Sequence, residues 1–256
     1  MEKIKKWYFA TNSSGLTNRA DQIKVAVRSC QKHTKLQPYC LYSGRDNEQR
    51  RFLTDLGVHV INHEPSFSDA LRVGYKDKYD TFLGHWLRVD IPLIEREDAY
   101  IIYTDTDIMF VNNIENLIDA QYISAGPEFN KDDYSYFNSG VMIMNVGNLR
   151  VIHDEFIESI RSRFEKDFTY PAHDQESYNR FFVGKFDRLP PEYNWKPYWG
   201  KSENARIIHF HGPKQAAIKA MESGNFNNIS PGHQRLWRKN PEAYTYYNSI
   251  FNKYLP

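Results

Sequence analysis

Long apolar runs, cysteines, charge of one sign and glycine-rich loops are all scarce in this chain. No stretch of about 18 consecutive apolar residues occurs, so no segment has the makings of a membrane-spanning helix. The opening MEKIKKWYFATNSSG is too short in its apolar part, and too polar after it, to read as a secretory signal. The two absences predict a cytoplasmic protein, at most peripheral at the inner face of the cell membrane. Only two cysteines are present, Cys30 and Cys40, in no ligand spacing, which predicts reduced structural thiols. Lysine plus arginine total 33 against 32 for aspartate plus glutamate, and no block of five like charges appears. Nucleic-acid binding rests largely on phosphate neutralisation by a basic surface, so nucleic acid is not an expected partner.

Aromatic residues are plentiful: 18 Tyr, 16 Phe and 5 Trp make 15% of 256 residues. Rings stack on sugars and bases but also fill cores, so composition chooses neither role. The hydrophobic content of 41% suits one globular domain of generous size.

The first half alternates strand-like and helix-like segments. KWYFAT (6–11) reads as a strand, RADQIKVAVRSCQKHT (19–34) as a helix, PYCLYSG (38–44) as a strand, Asn47 to Leu56 as a polar helix and VHVIN (58–62) as a short strand. DTFLGHWLRVDIPLI (80–94) reads as a helix disturbed or kinked at Pro92, and AYIIYTDTDIMFV (99–111) as the most hydrophobic strand. This order predicts an α/β fold with a mostly parallel, Rossmann-like central sheet flanked by crossover helices. The second half offers a strand YFNSGVMIMN (136–145), a helix from Val151 to Phe164, a short helix DQESYNRFFV (174–183) and a strand RIIHFHG (206–212). From Pro213 the C-terminus reads as helical with a break at Pro231. No repeat or long linker divides the chain, which predicts a single domain over 1–256 with 213–256 as a helical extension.

Three constellations carry chemistry. In an extended segment Asp105 and Asp107 project to the same side while Thr106 faces away, and two close carboxylates suit a divalent cation such as Mg²⁺ or Mn²⁺. A bare DxD is also what two helix or turn caps look like. In IIHFHGPK (207–214), alternation sets Ile207, His209 and His211 on one face; an imidazole facing the aspartates favours Mn²⁺. Gly212 permits close approach of backbone to an anion and Lys214 supplies a point charge, although a hydrogen-bonded histidine before a Gly-Pro turn explains the same residues. The third is FNSGVMIMN with HDQESYN, where Asn138, Asp174 and Gln175 suit a ligand rich in hydroxyls; Asp174 also fits a plain N-cap.

Taken in order, an opening strand, RVDIP, YTDTDIMF, FNSGVMIMN, DQESYN and HFHGPK resemble glycosyltransferase family 8, over roughly residues 6 to 215. The resemblance implies a GT-A fold, a nucleotide-sugar donor that is usually a UDP-hexose such as UDP-Gal or UDP-Glc, and transfer with retention. It places Asp105, Asp107 and His209 at a Mn²⁺ or Mg²⁺ site, and Gly212 and Lys214 at the diphosphate. It places Arg88 in the donor site, Ala10, Thr11 and Asn12 at the uracil, and Thr106 among the nucleotide-sugar contacts. Asn138, Asp174 and Gln175 fall at the donor sugar and reaction centre, and the part of His211 stays open. The loop from His209 to Lys214 is one residue shorter than the family's usual spacing, and Gln215 stands where the family has proline.

The implied acceptor is a glycan or glycolipid, such as a lipopolysaccharide, capsule or other cell-surface polysaccharide. Its pocket is expected in the loops Glu64 to Lys78 and Gly184 to Ser202, with Tyr193, Trp195, Tyr198 and Trp199. The alternatives are an inverting transferase using Asp90, Asp132, Asp133 or Asp174 as general base, and a non-catalytic nucleotide- or carbohydrate-binding protein. A nucleotidyltransferase predicts a Gly-rich first loop, and ATNSSGLTNR has one glycine. The aromatic and basic C-terminus, HQRLWRKNPEAYTYYNSIFNKYLP, suits either an anionic membrane surface or a packed helix pair.

Overall fold

The computed structural model describes residues 4–45, 47–114, 119–166 and 174–256; Met1 to Lys3 and His173, which belong to motifs quoted above, lie outside the described residues. Nine strands are described: β1 Lys6–Asn12, β2 Gln37–Ser43, β3 His59–Asn62, β4 Tyr100–Thr104, β5 Ile108–Phe110, β6 Ile123–Pro127, β7 Phe137–Asn145, β8 Asp187–Arg188 and β9 Ile207–His209. Seven form a sheet in the order β3-β2-β1-β4-β7-β6-β8, and β5 pairs with β9 in a second, two-stranded sheet. In the large sheet only β7 runs against the others.

β1 shows why the sheet forms at this place. Trp7 and Phe9 enter one core with Ile102, while Tyr8 enters the other with Ile101 and Tyr103. A strand buried on both faces belongs at the centre of a helix-covered sheet. Strand order reverses between β1 and β4, and in open α/β sheets that switch point, outside the carboxyl ends of the strands, is where ligands enter.

The residues 99–111 form two strands rather than one. The chain leaves the ladder after Thr104: Asp105 N–H donates to Gly140 O (2.8 Å) and Thr104 Oγ1 donates to Asp105 O (2.8 Å). It then joins β9 in the other sheet, so the two aspartates converge through a turn and not through strand alternation. The first helix runs over Ser13–His33, earlier than periodicity indicates, because the Asn12 side chain accepts from Gly15 N–H and caps it. Its backbone leaves helical geometry at Arg19, close to the start expected from the apolar spacing.

Prolines begin helices here. Residues 80–94 divide into the helix Tyr79–Trp86, a 3₁₀ turn Leu87–Asp90 and the helix Ile91–Ile94, with Pro92 in a first turn, where the missing N–H costs nothing. Pro231 and Pro241 likewise open Pro231–Lys239 and Pro241–Asn252. Tyr244, Tyr247 and Phe251 are buried in a core with Ile208 and Phe210, as a packed helix pair requires. No helix among the described residues is long and apolar enough to cross a membrane. Cys30 and Cys40 are buried free thiols, both pushed up by burial.

Candidate active site

Asp105 and Asp107 occupy the turn between the two sheets, and His209 ends β9. Their ligand atoms lie within 4.8 Å of one another. Asp107 is anchored at its backbone, where its O accepts from Phe210 N–H (2.9 Å). Its Oδ2 accepts from Lys214 Nζ, while Oδ1 is buried without a hydrogen-bond partner among the described residues. Oδ1 lies 3.4 Å from His209 Nε2. Burial alone would raise the Asp107 pKa, but Lys214 and His209 hold it well below the usual carboxylate range. Burial pushes His209 below its ordinary value, opposed by Asp107.

The donor set fits a divalent cation. Two carboxylates and a neutral imidazole suit Mn²⁺, and an orphaned, buried, ionised oxygen is the atom such an ion would satisfy. Gly140 keeps the cradle open: a Cβ there would overlap His209 Cε1 and lie 3.0 Å from Asp105 Oδ2.

Arg88 joins this cluster to the reaction centre expected from the sequence. It is 2% exposed on the 3₁₀ turn. Nη1 donates to Asp105 Oδ1 (3.2 Å) and Ser139 O (2.8 Å); Nη2 donates to Ser139 Oγ (2.9 Å) and to Asp174 Oδ2. Tyr103 OH also donates to Asp105 Oδ1, at 3.2 Å. Gln175 Oε1 is fixed by Ser139 N–H (3.0 Å) and by Asn138 Nδ2 (3.2 Å). The guanidinium thus neutralises one carboxylate on each side, leaving Asp174 and Gln175 at one corner and the aspartate pair at the other.

Ala10, Thr11, Asn12 and Thr106 line a cleft of about 260 Å³ with Asp105, Arg19 and Phe82. It opens at the switch point between β1 and β4. Asn12 contributes wall but little free chemistry, since Oδ1 caps the first helix and Nδ2 donates to Asp80 O. Gly212 has φ 93°, a left-handed value that favours glycine, and a Cβ there would lie 2.6 Å from Leu236 Cδ1. Lys214, two residues on, turns back to Asp107 and to Phe210 O (2.7 Å).

Some sequence expectations separate. His211 leaves the face of His209 because β9 ends at His209; its Nε2 pairs with Glu128 Oε1 (3.1 Å) instead of joining the aspartates. Asp90 is unfit as a general base: it is fully buried between His63, His153 and Ser66, with hydrogen bonds of 2.6 to 2.9 Å. Trp195 and Tyr198 are buried, Tyr193 is buried but lines an open cleft with Glu192 and Arg206, and Ser68–Tyr75 is a helix within the other expected loop.

Three residues at this site escaped sequence reasoning: Glu128, Asn194 and Lys196. Glu128 ends the apolar run ISAGP, the same signal that drew attention to Asp105, and it accepts from Asn138 Nδ2 at 2.6 Å. Burial would raise it, but His211 and Asn138 hold it at about 2. Burial pulls Lys196 down to about 7 against the opposing charge of Glu128. Phe129 and Tyr136, which flank that strand end, are exposed rings, the first beside His211 and the second beside Gln175.

A family model described as Glycosyl transferase family 8 matches residues 13–215. Glucoside xylosyltransferase 1 of Danio rerio is 24% identical over 184 residues, covering 52% of this chain and 45% of that protein. The chain therefore spans less than half the length of that curated relative. Among solved structures, the galactosyltransferase LgtC in complex with donor and acceptor sugar analogues has TM-score 0.64 at 16% identity, over 91% of this chain and 94% of that one. The apo form of the glycosyltransferase GlyE of Streptococcus pneumoniae has TM-score 0.60 at 17% identity, over 98% of this chain and 64% of that one. At such identities the structures show a shared fold, the GT-A arrangement of a mostly parallel sheet flanked by helices.

Proposed function

The chain belongs to glycosyltransferase family 8, and from that premise we propose a metal-dependent transfer of a hexose from a UDP-sugar to a hydroxyl of a glycan acceptor, with retention of configuration. Residues 1–256 are read as one GT-A domain, with 213–256 as its helical extension. The observation that carries the reading is Asp107 Oδ1, ionised, buried and unpartnered beside His209 Nε2. Asp105, Asp107 and His209 would hold Mn²⁺, which when bound supplies Lewis-acid stabilisation of the diphosphate leaving group.

The other residues bind and orient. The cleft at Ala10, Thr11, Asn12 and Thr106 takes the nucleoside, and Lys214 with the Gly212 turn takes the diphosphate. Charge develops there as the sugar–oxygen bond breaks, so a fixed ammonium lowers the barrier. Arg88 holds Asp174 against the reaction centre, and Ser139 with Asn138 holds the Gln175 amide beside it. Asp174 and Gln175 then face the cationic sugar from the side away from the leaving group. The exposed rings of Phe129 and Tyr136 suit an acceptor that presents a pyranose face.

The test is release of UDP from UDP-glucose, UDP-galactose and UDP-xylose, with Mn²⁺ and with chelator. Xylose is included because the relatives' names divide between galactosyl and xylosyl transfer. Saturable, Mn²⁺-dependent turnover of one donor is expected. Donor binding without turnover under any acceptor would leave a binding protein instead, and an inverted product anomer by NMR would overturn retention.

A further inference from the structure

Four side chains run in series from the reaction centre to the metal cluster. Glu128 Oε2 accepts from Asn138 Nδ2 (2.6 Å), Asn138 Oδ1 accepts from Asn194 Nδ2 (2.9 Å), and Asn194 Oδ1 meets His209 Nδ1 at 3.0 Å. Every member is buried. An amide can in principle face either way, so the direction of such a series depends on groups that have one role only.

Two such groups stand at its start. An ionised carboxylate only accepts, so Glu128 requires the NH₂ end of Asn138. A backbone N–H only donates, and Gly140 N–H points at Asn138 Oδ1 (3.1 Å), requiring the carbonyl end on the other side. Asn194 must then offer its NH₂ to Asn138 and its carbonyl to His209. A carbonyl oxygen accepts only, so His209 carries a hydrogen on Nδ1, and in the neutral ring this leaves Nε2 bare towards Asp107.

We infer that Asn138 and Asn194 are positioning residues, an amide relay that fixes the metal-ligating tautomer of His209 from the fixed ends at Glu128 and Gly140. The relay does not touch the ion and acts through the ring. Partners behind a ligating histidine orient it and raise its basicity, and losing them typically costs about 10- to 100-fold in metal affinity.

Its starting point is rigid. Three consecutive carbonyls at the end of β6 each receive a donor from one short segment: Lys196 Nζ to Pro127 O (2.6 Å), Tyr198 OH to Glu128 O (2.8 Å) and Trp199 Nε1 to Phe129 O (2.9 Å). The same segment supplies Asn194, and its Trp195 O accepts from His209 N–H (2.8 Å). Glu128 cannot drift from Asn138 without breaking this bracket.

The inference rests on the reading of Asp105, Asp107 and His209 as metal ligands, so its test is made first on metal-free protein. Ring ¹⁵N resonances of His209 are assigned in the full chain with a His209→Gln variant. A protonated Nδ1 and an unprotonated Nε2 are expected in the wild type. Asn194→Leu and Asn138→Leu should shift both nitrogens towards an average of the two tautomers, the second without any direct contact with the ring. Calorimetry with Mn²⁺ should then show affinity lower by about 10- to 100-fold in Asn194→Leu. A wild-type ring protonated on Nε2 overturns the relay, and so does a ring unchanged by both substitutions. The wild-type measurement decides even where a variant does not fold. A wild-type ring in the expected tautomer with no Mn²⁺ binding would refute the metal reading and leave the relay standing.

Discussion

Asp107 holds the Lys214 ammonium on Oδ2 and keeps Oδ1 free of hydrogen bonds among the described residues. With a divalent ion on Oδ1, one carboxylate would address two positive charges from opposite oxygens. The ammonium sits close to a would-be divalent ion and repels it, yet it is also the nearest cation for a diphosphate. Lys214→Met should bind Mn²⁺ alone more tightly, by roughly threefold to tenfold, while donor turnover falls about tenfold or more. Calorimetry and UDP release separate the two effects. Weaker Mn²⁺ binding with normal turnover would contradict this division of labour.

Asp107→Asn removes the charge and keeps the shape. Turnover with Mn²⁺ should fall by roughly 100-fold or more, since fixed charge at a leaving group is among the larger contributions to catalysis. Circular dichroism should show the fold retained. Full activity in that variant would remove Asp107 from the metal site.

Gly140→Ala tests the geometry without replacing a ligand. The added methyl would press on His209 Cε1 and come within 3.0 Å of Asp105 Oδ2 and 2.9 Å of Asn138 Oδ1. Displacement of ligating groups should weaken Mn²⁺ binding by roughly tenfold, with a smaller effect on nucleoside binding in the cleft beyond Thr106. Unchanged metal affinity would mean that the cluster has more room than the contacts allow.

Acid stability should depend on Glu95, which is buried and accepts from Lys6 Nζ, Tyr8 OH and the backbone of Glu97 and Asp98. Burial would raise its pKa, but these donors bring it down from 4.5 to about 2. A depressed carboxylate contributes stability that is complete above pH 4.5 and is lost as the pH falls towards 2. Glu95→Gln should destabilise at neutral pH by about 2 kcal/mol, because Lys6 keeps Glu97 and Asp98 but loses the charge of its buried partner. Its melting temperature should then fall less steeply than the wild type's between pH 4.5 and 2. Parallel acid limbs in the two proteins would count against the assignment.

The fold was largely legible because its strands are apolar runs separated by recognisable punctuation. The first helix starts at Ser13, earlier than expected, because apolar periodicity starts only beyond the kink at Arg19 and that periodicity set the expected start. The candidate metal ligands were legible as residue types, but for the wrong geometric reason: a strand-like sequence, YTDTDIMF, hides a turn because β4 and β5 pair in different sheets. Glu128 and Asn194 were not legible. Their meaning lies in pairings across 10 and 56 residues with Asn138, made where β6 shifts register against β7 between Ala125 and Gly126. His211 shows the converse, since strand alternation assigned it to a face that the end of β9 takes away.

The turn from Asp105 to Asp107 also has a mechanical meaning. Asp105 is tied to the large sheet through Gly140, whereas Asp107 is tied through Phe210 to the end of the small sheet that holds His209 and on which the C-terminal helices pack. An ion bound by all three would rivet the two sheets together. Saturation at 100 times its dissociation constant would add about 2.7 kcal/mol to the folded state. Slowed hydrogen exchange should then appear in β9 as well as in the aspartate turn, so that loading the metal tightens the body of the enzyme along with its active site.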